Sequence, residues 1–282
     1  MYLAVLGREP ELSIAELESL FGEVKKVTSQ LALFDADAMP SIDRLGGTLK
    51  LAEKLNEKPL DFLIKTPDGK ITFGVSDYSK GASKKTAMLE AMKLKKILVR
   101  QGRSVRAVMG DAAMLSTAAS LHNGLSGKNS RKIELIKLDD EWYRVIGVQN
   151  IDAYSRRDQR RPARDAKVGM LPPKLAQILI NLCGFLPKKS TILDPFCGTG
   201  VVLQEALLMG YSVYGTDISE RMVEYSRKNL EYFKFSDFKL EVGDATNHKW
   251  SEIDAVACEG YLGKPMSKAP SEMELKEQEQ EC

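Results

Sequence analysis

Histidine and cysteine are scarce in this chain: two His and four Cys among 282 residues. Cys183, Cys197, Cys258 and Cys282 are scattered and form no C-x-x-C pair, which argues against a structural zinc site or any bound metal. Unpaired thiols fit a reducing compartment, the cytoplasm. No apolar run approaches the roughly 18 residues of a membrane span, and MYLAVLGREPELS lacks the basic and apolar regions of a secretory signal. Tandem repeats are absent, and the only biased segment is the Glu/Gln-rich stretch near the end. G-x-x-x-x-G-K-[ST] is missing too, which excludes a P-loop. What remains is a globular chain of two or three domains, 43% hydrophobic and 28% charged, with its oligomeric state open.

A net charge of +2 hides an uneven distribution. Residues 80–106 carry nine Lys/Arg against one acid, and residues 151–170 carry six against three Asp. Lys84, Lys85, Lys93, Lys96 and Arg100 in the first patch, with Arg156, Arg157, Arg160 and Arg161 in the second, are candidates for holding nucleic-acid phosphates. The alternative is an ordinary solvated helix face.

Patterning divides the chain. YLAVLG reads as a strand, followed by a helix over 14–21 with Ser13 and Glu16 as a capping box. Strands at 24–28 and 31–35 and a helix near 41–56 complete a small α/β unit, 1–58. Strands at 61–65 and 71–77, a basic helix from Ser83 to about 101, a strand at 104–109, a helix at 115–125 and strands at 132–138 and 142–149 predict an α+β unit, 59–150. Residues 151–172 read as a basic linker or binding arm, and 264–282 as a polar tail. Between them, 173–263 opens on a helix at 174–183. From 191 the pattern alternates strand, loop and helix, with strands at 191–195, 212–216, 238–242 and 253–257, as in a parallel sheet.

The first of these strands runs into ILDPFCGTGVVL. Gly198 and Gly200 permit close backbone approach to a ligand, and such ligands sit at the carboxyl ends of the strands. Asp194 ends the first strand, Asp217 the second and Asp244 the third. Asp217 suits two ribose hydroxyls and Asp244 an adenine amine. Leu203 stands where the dinucleotide fingerprint needs its third glycine. An acid before the loop suits a cationic ligand better than a pyrophosphate, which points to S-adenosylmethionine.

DPFCGTG, GTDIS and GDA together resemble the cofactor half of class I S-adenosylmethionine-dependent methyltransferases, in the form typical of RNA and DNA amino-methyltransferases. YSRRDQRRPARDAKVGMLPPKLAQILINL resembles the segment that joins THUMP and methyltransferase domains in archaeal-type tRNA guanosine-10 N2-methyltransferases. The resemblance spans nearly the whole chain and is sharp at 150–217. It implies an N-terminal ferredoxin-like domain and a THUMP domain holding tRNA, ahead of a Rossmann-like methyltransferase domain. It also implies that Phe196, Cys197, Ile218 and Ala245 join Asp194, Gly198, Gly200, Asp217 and Asp244 around the cofactor.

Two departures from that family stand out. Where it carries D-P-P-Y, this chain has ACEGYLG, aligning Glu259 with the acid, Gly260 and Tyr261 with the prolines and Leu262 with the aromatic, so Tyr261 can stack only if the loop shifts by one. An amine attacking a methyl sulfonium needs acceptors for its two N–H groups and a ring stacked on its base. Glu259, the Gly260 carbonyl and Tyr261 are the candidates. The second departure is length: four strands are counted where the class has seven, so the domain reads as partial and the chain as C-terminally truncated. Cofactor and tRNA binding are then expected to outlast turnover. The leading reading is methylation of an exocyclic amine in tRNA, guanosine N2. An RNA-binding protein with a vestigial methyltransferase domain and a DNA adenine-N6 methyltransferase are the alternatives. A dehydrogenase is more distant.

Overall fold

The computed structural model describes residues 1–165, 170–260 and 271–281. Two compact units divide near Ile151.

The first unit is built on one eight-stranded sheet. Its elements are β1 (Tyr2–Leu6), α1 (Pro10–Phe21), β2 (Val24–Lys26), β3 (Leu31–Phe34), β4 (Thr48–Lys54), α2 (Pro59–Ile64), β5 (Ile71–Asp77), α3 (Lys84–Arg100), β6 (Val105–Val108), α4 (Thr117–His122), β7 (Lys132–Leu138) and β8 (Glu141–Val148). The strands run β2-β3-β1-β4-β8-β7-β5-β6. Antiparallel pairing of β4 with β8 joins residues 1–58 and 59–150 in that sheet.

Several local expectations change. The segment 41–56 is not a helix but a short 3₁₀ turn at Ile42–Arg44 followed by β4, in which Leu51 and Ala52 are buried beside β1 and β8. Residues 61–64 fall in helix α2 and not in a strand, and Pro59 sits at the first helical position, where its fixed φ is favourable. Helix α1 begins at Pro10, so Ser13 does not cap it. The buried Ser13 hydroxyl donates to Glu9 O and Gly47 O instead, and Glu16 accepts from the Gly46 and Gly47 amides. The Ser83 cap of α3 is observed, reciprocated by Thr86.

A buried polar cluster crosses the sheet. The Lys50 ammonium donates to Glu134 and to the Leu115 carbonyl, the latter at 2.7 Å. Ser76 and Ser120 donate to the two oxygens of the same carboxylate, each at 2.6 Å, and the Leu115 amide donates to Ser76 Oγ. Lys50, Ser76, Ser120 and Glu134 are all at most 1% exposed.

The second unit holds α5 (Ile151–Gln159), α6 (Pro173–Leu182), β9 (Thr191–Asp194), α7 (Val201–Leu208), β10 (Ser212–Asp217), α8 (Glu220–Tyr232), β11 (Phe238–Val242), β12 (Ala255–Val256) and α9 (Glu272–Glu281). The expected linker thus begins with a helix, which buries Tyr154, and part of the polar tail is helical. Among the described residues the four strands of this unit are parallel, in the order β11-β10-β9-β12. Ile192, Val201, Leu203, Ala206, Val213 and Leu230 centre the core.

Candidate functional site

The order third, second, first, fourth reverses direction at β9, so the crevice lies at the carboxyl ends of the strands beside β9. Parallel strands carry all their carboxyl ends to one edge. Asp194, Asp217, Asp244 and Glu259 each end or closely follow one of the four strands, so this edge collects four acids.

The glycine loop spans the gap between β9 and α7. Gly198 and Gly200 have φ of 50° and 80°, a left-handed backbone that favours glycine. A Cβ at Gly200 would also lie 2.9 Å from Ser226 Oγ. Helix packing explains why Leu203 is tolerated. A Cβ at Gly215 would lie 2.4 Å from Leu203 Cδ1, so the strand, not the helix, gives up its side chain. The close helix–strand approach of the dinucleotide fingerprint is kept with its glycine moved to β10.

Asp217 is half-buried and well ordered by its neighbours. One oxygen accepts from the Ser219 amide at 2.9 Å and the other from the Gly198 amide at 3.0 Å. A carboxylate has about four acceptor sites, so two stay available for a pair of hydroxyls. Asp194 is 3% exposed and accepts from the Phe196 amide at 3.1 Å. Burial pushes its carboxyl up to about 7, the amide bond opposes this, and the charges of Asp217 and Glu259 add to the rise. Asp244 accepts from the Thr246 amide and hydroxyl, which lower its pKa.

The other expected residues differ in setting. Phe196 and Ile218 are exposed apolar side chains beside Asp194 and Asp217. Cys197 is buried in the core, and burial pushes its thiol up, so it contributes packing and not a nucleophile. Ala245 sits half-buried in the turn after β11. Glu259 is exposed, and Gly260 has φ of 81°. Tyr261 lies outside the described residues.

The basic patches also resolve into distinct surroundings. Lys84, Lys85, Lys93, Lys96 and Arg100 are exposed on α3, opposite buried Ala87, Ala91, Leu94 and Leu98. Arg156 and Arg160 are exposed. Arg157 pairs with the buried Glu205 at 2.8 Å, and Arg161, 3% exposed, reaches Thr199 Oγ1 at 3.3 Å. These two guanidiniums are held inside the second unit. Sequence reasoning passed over Ser226 and Asn229, both fully buried. They were detectable as polar residues on the apolar stripe Met222, Val223 and Leu230 of α8.

Strand order, glycine loop and strand-end acids define a methyltransferase-type, nucleoside-cofactor domain. Residues 47–228, more than half of the chain, match the profile of the family described as DNA methylase, and the chain belongs to that family. Residues 186–279 match a second profile, described as a methyltransferase domain. The chain is 42% identical over 107 residues to the tRNA (guanine(10)-N2)-dimethyltransferase of Methanothermobacter thermautotrophicus, covering 38% of this chain and 32% of that one. It is 47% identical over 94 residues to the Pyrococcus abyssi protein of the same name, covering 33% and 27%. The chain therefore spans about a third of the length of these curated relatives. It is also similar to the crystal structure of TrmN from Thermus thermophilus, at 21% identity and a TM-score of 0.43, covering 86% of this chain and 73% of that one.

Proposed function

We propose that the chain binds S-adenosylmethionine at the glycine loop and serves the methylation of an exocyclic base amine in tRNA, guanosine N2. The carrying observation is the gathering of Asp194, Asp217, Asp244 and Glu259 at one edge of a parallel sheet around that loop. Two relatives named for guanine-N2 dimethylation of tRNA support the substrate. The cofactor, when bound, supplies an electrophilic methyl group. Asp217 uses its two remaining acceptor sites for the ribose hydroxyls, and Asp244 faces the adenine amine. Phe196 and Ile218 offer apolar surface to the base, with Ala245 beside it. Glu259 and the Gly260 carbonyl accept the N–H groups of the incoming amine, Glu259 taking the proton that the amine loses. Tyr261, one position before the family's aromatic, is the ring this segment offers to the target base.

Loss of Asp217 in Asp217→Ala should cost about 1.5–3 kcal/mol of S-adenosylhomocysteine binding, as for other charge-assisted hydrogen bonds. Calorimetry on the parent and variant measures it. Equal affinities would remove Asp217 from the site.

On the RNA side, we read residues 1–58 as ferredoxin-like and 59–150 as a THUMP domain. Lys84, Lys85, Lys93, Lys96 and Arg100 meet phosphate there, and Arg156 and Arg160 meet phosphate on the second unit. Such binding weakens steeply with salt, because each neutralised phosphate releases counterions. Reversing Lys93 and Lys96 to Glu should weaken tRNA binding and flatten the salt slope. A second reading, an amino group of DNA as the target, is favoured by the family's description. Duplex DNA bound more tightly than tRNA at fixed salt would favour it.

A further inference from the structure

We propose that Asn229 and Ser226 of α8 are positioning residues that set the shape of the glycine loop for its ligand. The inference rests on the cofactor reading of that loop. A six-residue turn with two left-handed glycines has little to hold it by itself, since glycine keeps the most backbone freedom in the unfolded chain. In this protein Pro195 O accepts from Thr216 Oγ1 at 3.3 Å, and two further carbonyls of the turn are tied to α8. Ser226 Oγ donates to Gly198 O at 2.8 Å, and Asn229 Nδ2 donates to Thr199 O at 2.9 Å. In a trans peptide the N–H points opposite the carbonyl. Fixing the Gly198 and Thr199 carbonyls onto α8 therefore turns the Thr199 and Gly200 amides away from it. The Gly200 amide returns to Cys197 O at 2.7 Å, closing the turn. On its other side the loop is fixed by the Gly198 amide on Asp217. The same two residues thus set the loop and, through it, the carboxylate assigned to the ribose.

Asn229 also binds a second segment. Its Oδ1 accepts from the Ala163 amide at 3.0 Å, and Nδ2 donates to the Ala163 carbonyl at 2.9 Å. The stretch from Arg157 to Asp165 is tied down along its length. Arg157 meets Glu205, Arg161 meets Thr199 Oγ1, and Asp165 accepts from Arg221 at 2.9 Å. Asn229 is completely buried and fully committed to these partners, so no similarly sized side chain reproduces its pattern. Aspartate keeps the Ala163 amide but sets a carboxylate against two carbonyls.

Asn229→Ala and Ser226→Ala test the proposal. Calorimetry with S-adenosylhomocysteine should show affinity reduced about tenfold in each, the equivalent of one well-placed hydrogen bond. Hydrogen exchange should accelerate in residues 196–200 while β9 and β10 keep their protection. Parent-like affinity, or faster exchange spread evenly over β9, β10 and the loop, would overturn the proposal in favour of a general structural role. If Asn229→Ala does not fold, Ser226→Ala decides alone, since alanine is well tolerated in a helix. A parent chain that does not bind S-adenosylhomocysteine would defeat the cofactor reading, and this inference with it. That failure is visible before any variant is made.

Discussion

Glu134→Ala should cost the first unit about 3–5 kcal/mol of unfolding free energy, the usual result of removing one partner from a buried ion pair. Its carboxylate is completely buried and accepts from Lys50, Ser76 and Ser120. Truncation leaves the Lys50 ammonium in the interior with only the Leu115 carbonyl. An uncompensated buried charge is far more costly than a lost neutral hydrogen bond. The double variant Lys50→Met with Glu134→Leu removes both charges and should recover only part of the loss. Ser76 and Ser120 would still lack the acceptor they share. Urea unfolding can follow this unit alone, because the chain has two tryptophans and only Trp142 lies in it. In a Trp250→Phe background, a loss below about 1 kcal/mol would mean that water reaches the cluster and that the pair is a surface one in effect.

That cluster also shows where sequence reading fails. Lys50 lies in the segment 41–56 that reads as a helix, and its burial depends on a cross-sheet partner, Glu134, 84 residues on. Periodicity cannot reveal a partner that distant, so 41–56 was expected to be helical. Ser13 and Glu16 have the spacing of a capping box, yet Ser13 donates to Glu9 O and Gly47 O and Glu16 accepts from the Gly46 and Gly47 amides, mostly tertiary contacts. The second unit was more legible. Its strands and helices alternate at short range, and each apolar run ends in a carboxylate or glycine that marks the strand end. The four strands among its described residues match the expected ones. The engagement of Arg157 and Arg161 was not legible, because a local run of arginines looks the same whether it faces solvent or a buried Glu205. Leu203 departs from the dinucleotide pattern. Its compensation by Gly215 appears only when helix and strand are seen packed together.

Binding of S-adenosylmethionine should tighten as pH rises from 5 to 7, by up to about tenfold per unit, and then level off. The cause is Asp194, whose carboxyl burial raises to about 7, helped by the charges of Asp217 and Glu259. Below that value the empty site holds a neutral acid. A sulfonium or ammonium group placed nearby favours the carboxylate, so binding must expel the proton. Stability moves the other way. A carboxyl whose folded pKa lies above its unfolded value of 3.8 contributes stability that is fully present below the unfolded value and lost as pH rises through about 7. Weak binding at pH 5 therefore cannot come from unfolding driven by this group. Asp194→Asn keeps an acceptor for the Phe196 amide but cannot ionise. Its affinity should be flat over the same range. Calorimetry in buffers of different ionisation enthalpy should find about one proton released near pH 6 by the parent and almost none by the variant. A parent without pH dependence, or a variant that keeps the parent's slope, would show that the cation does not meet Asp194.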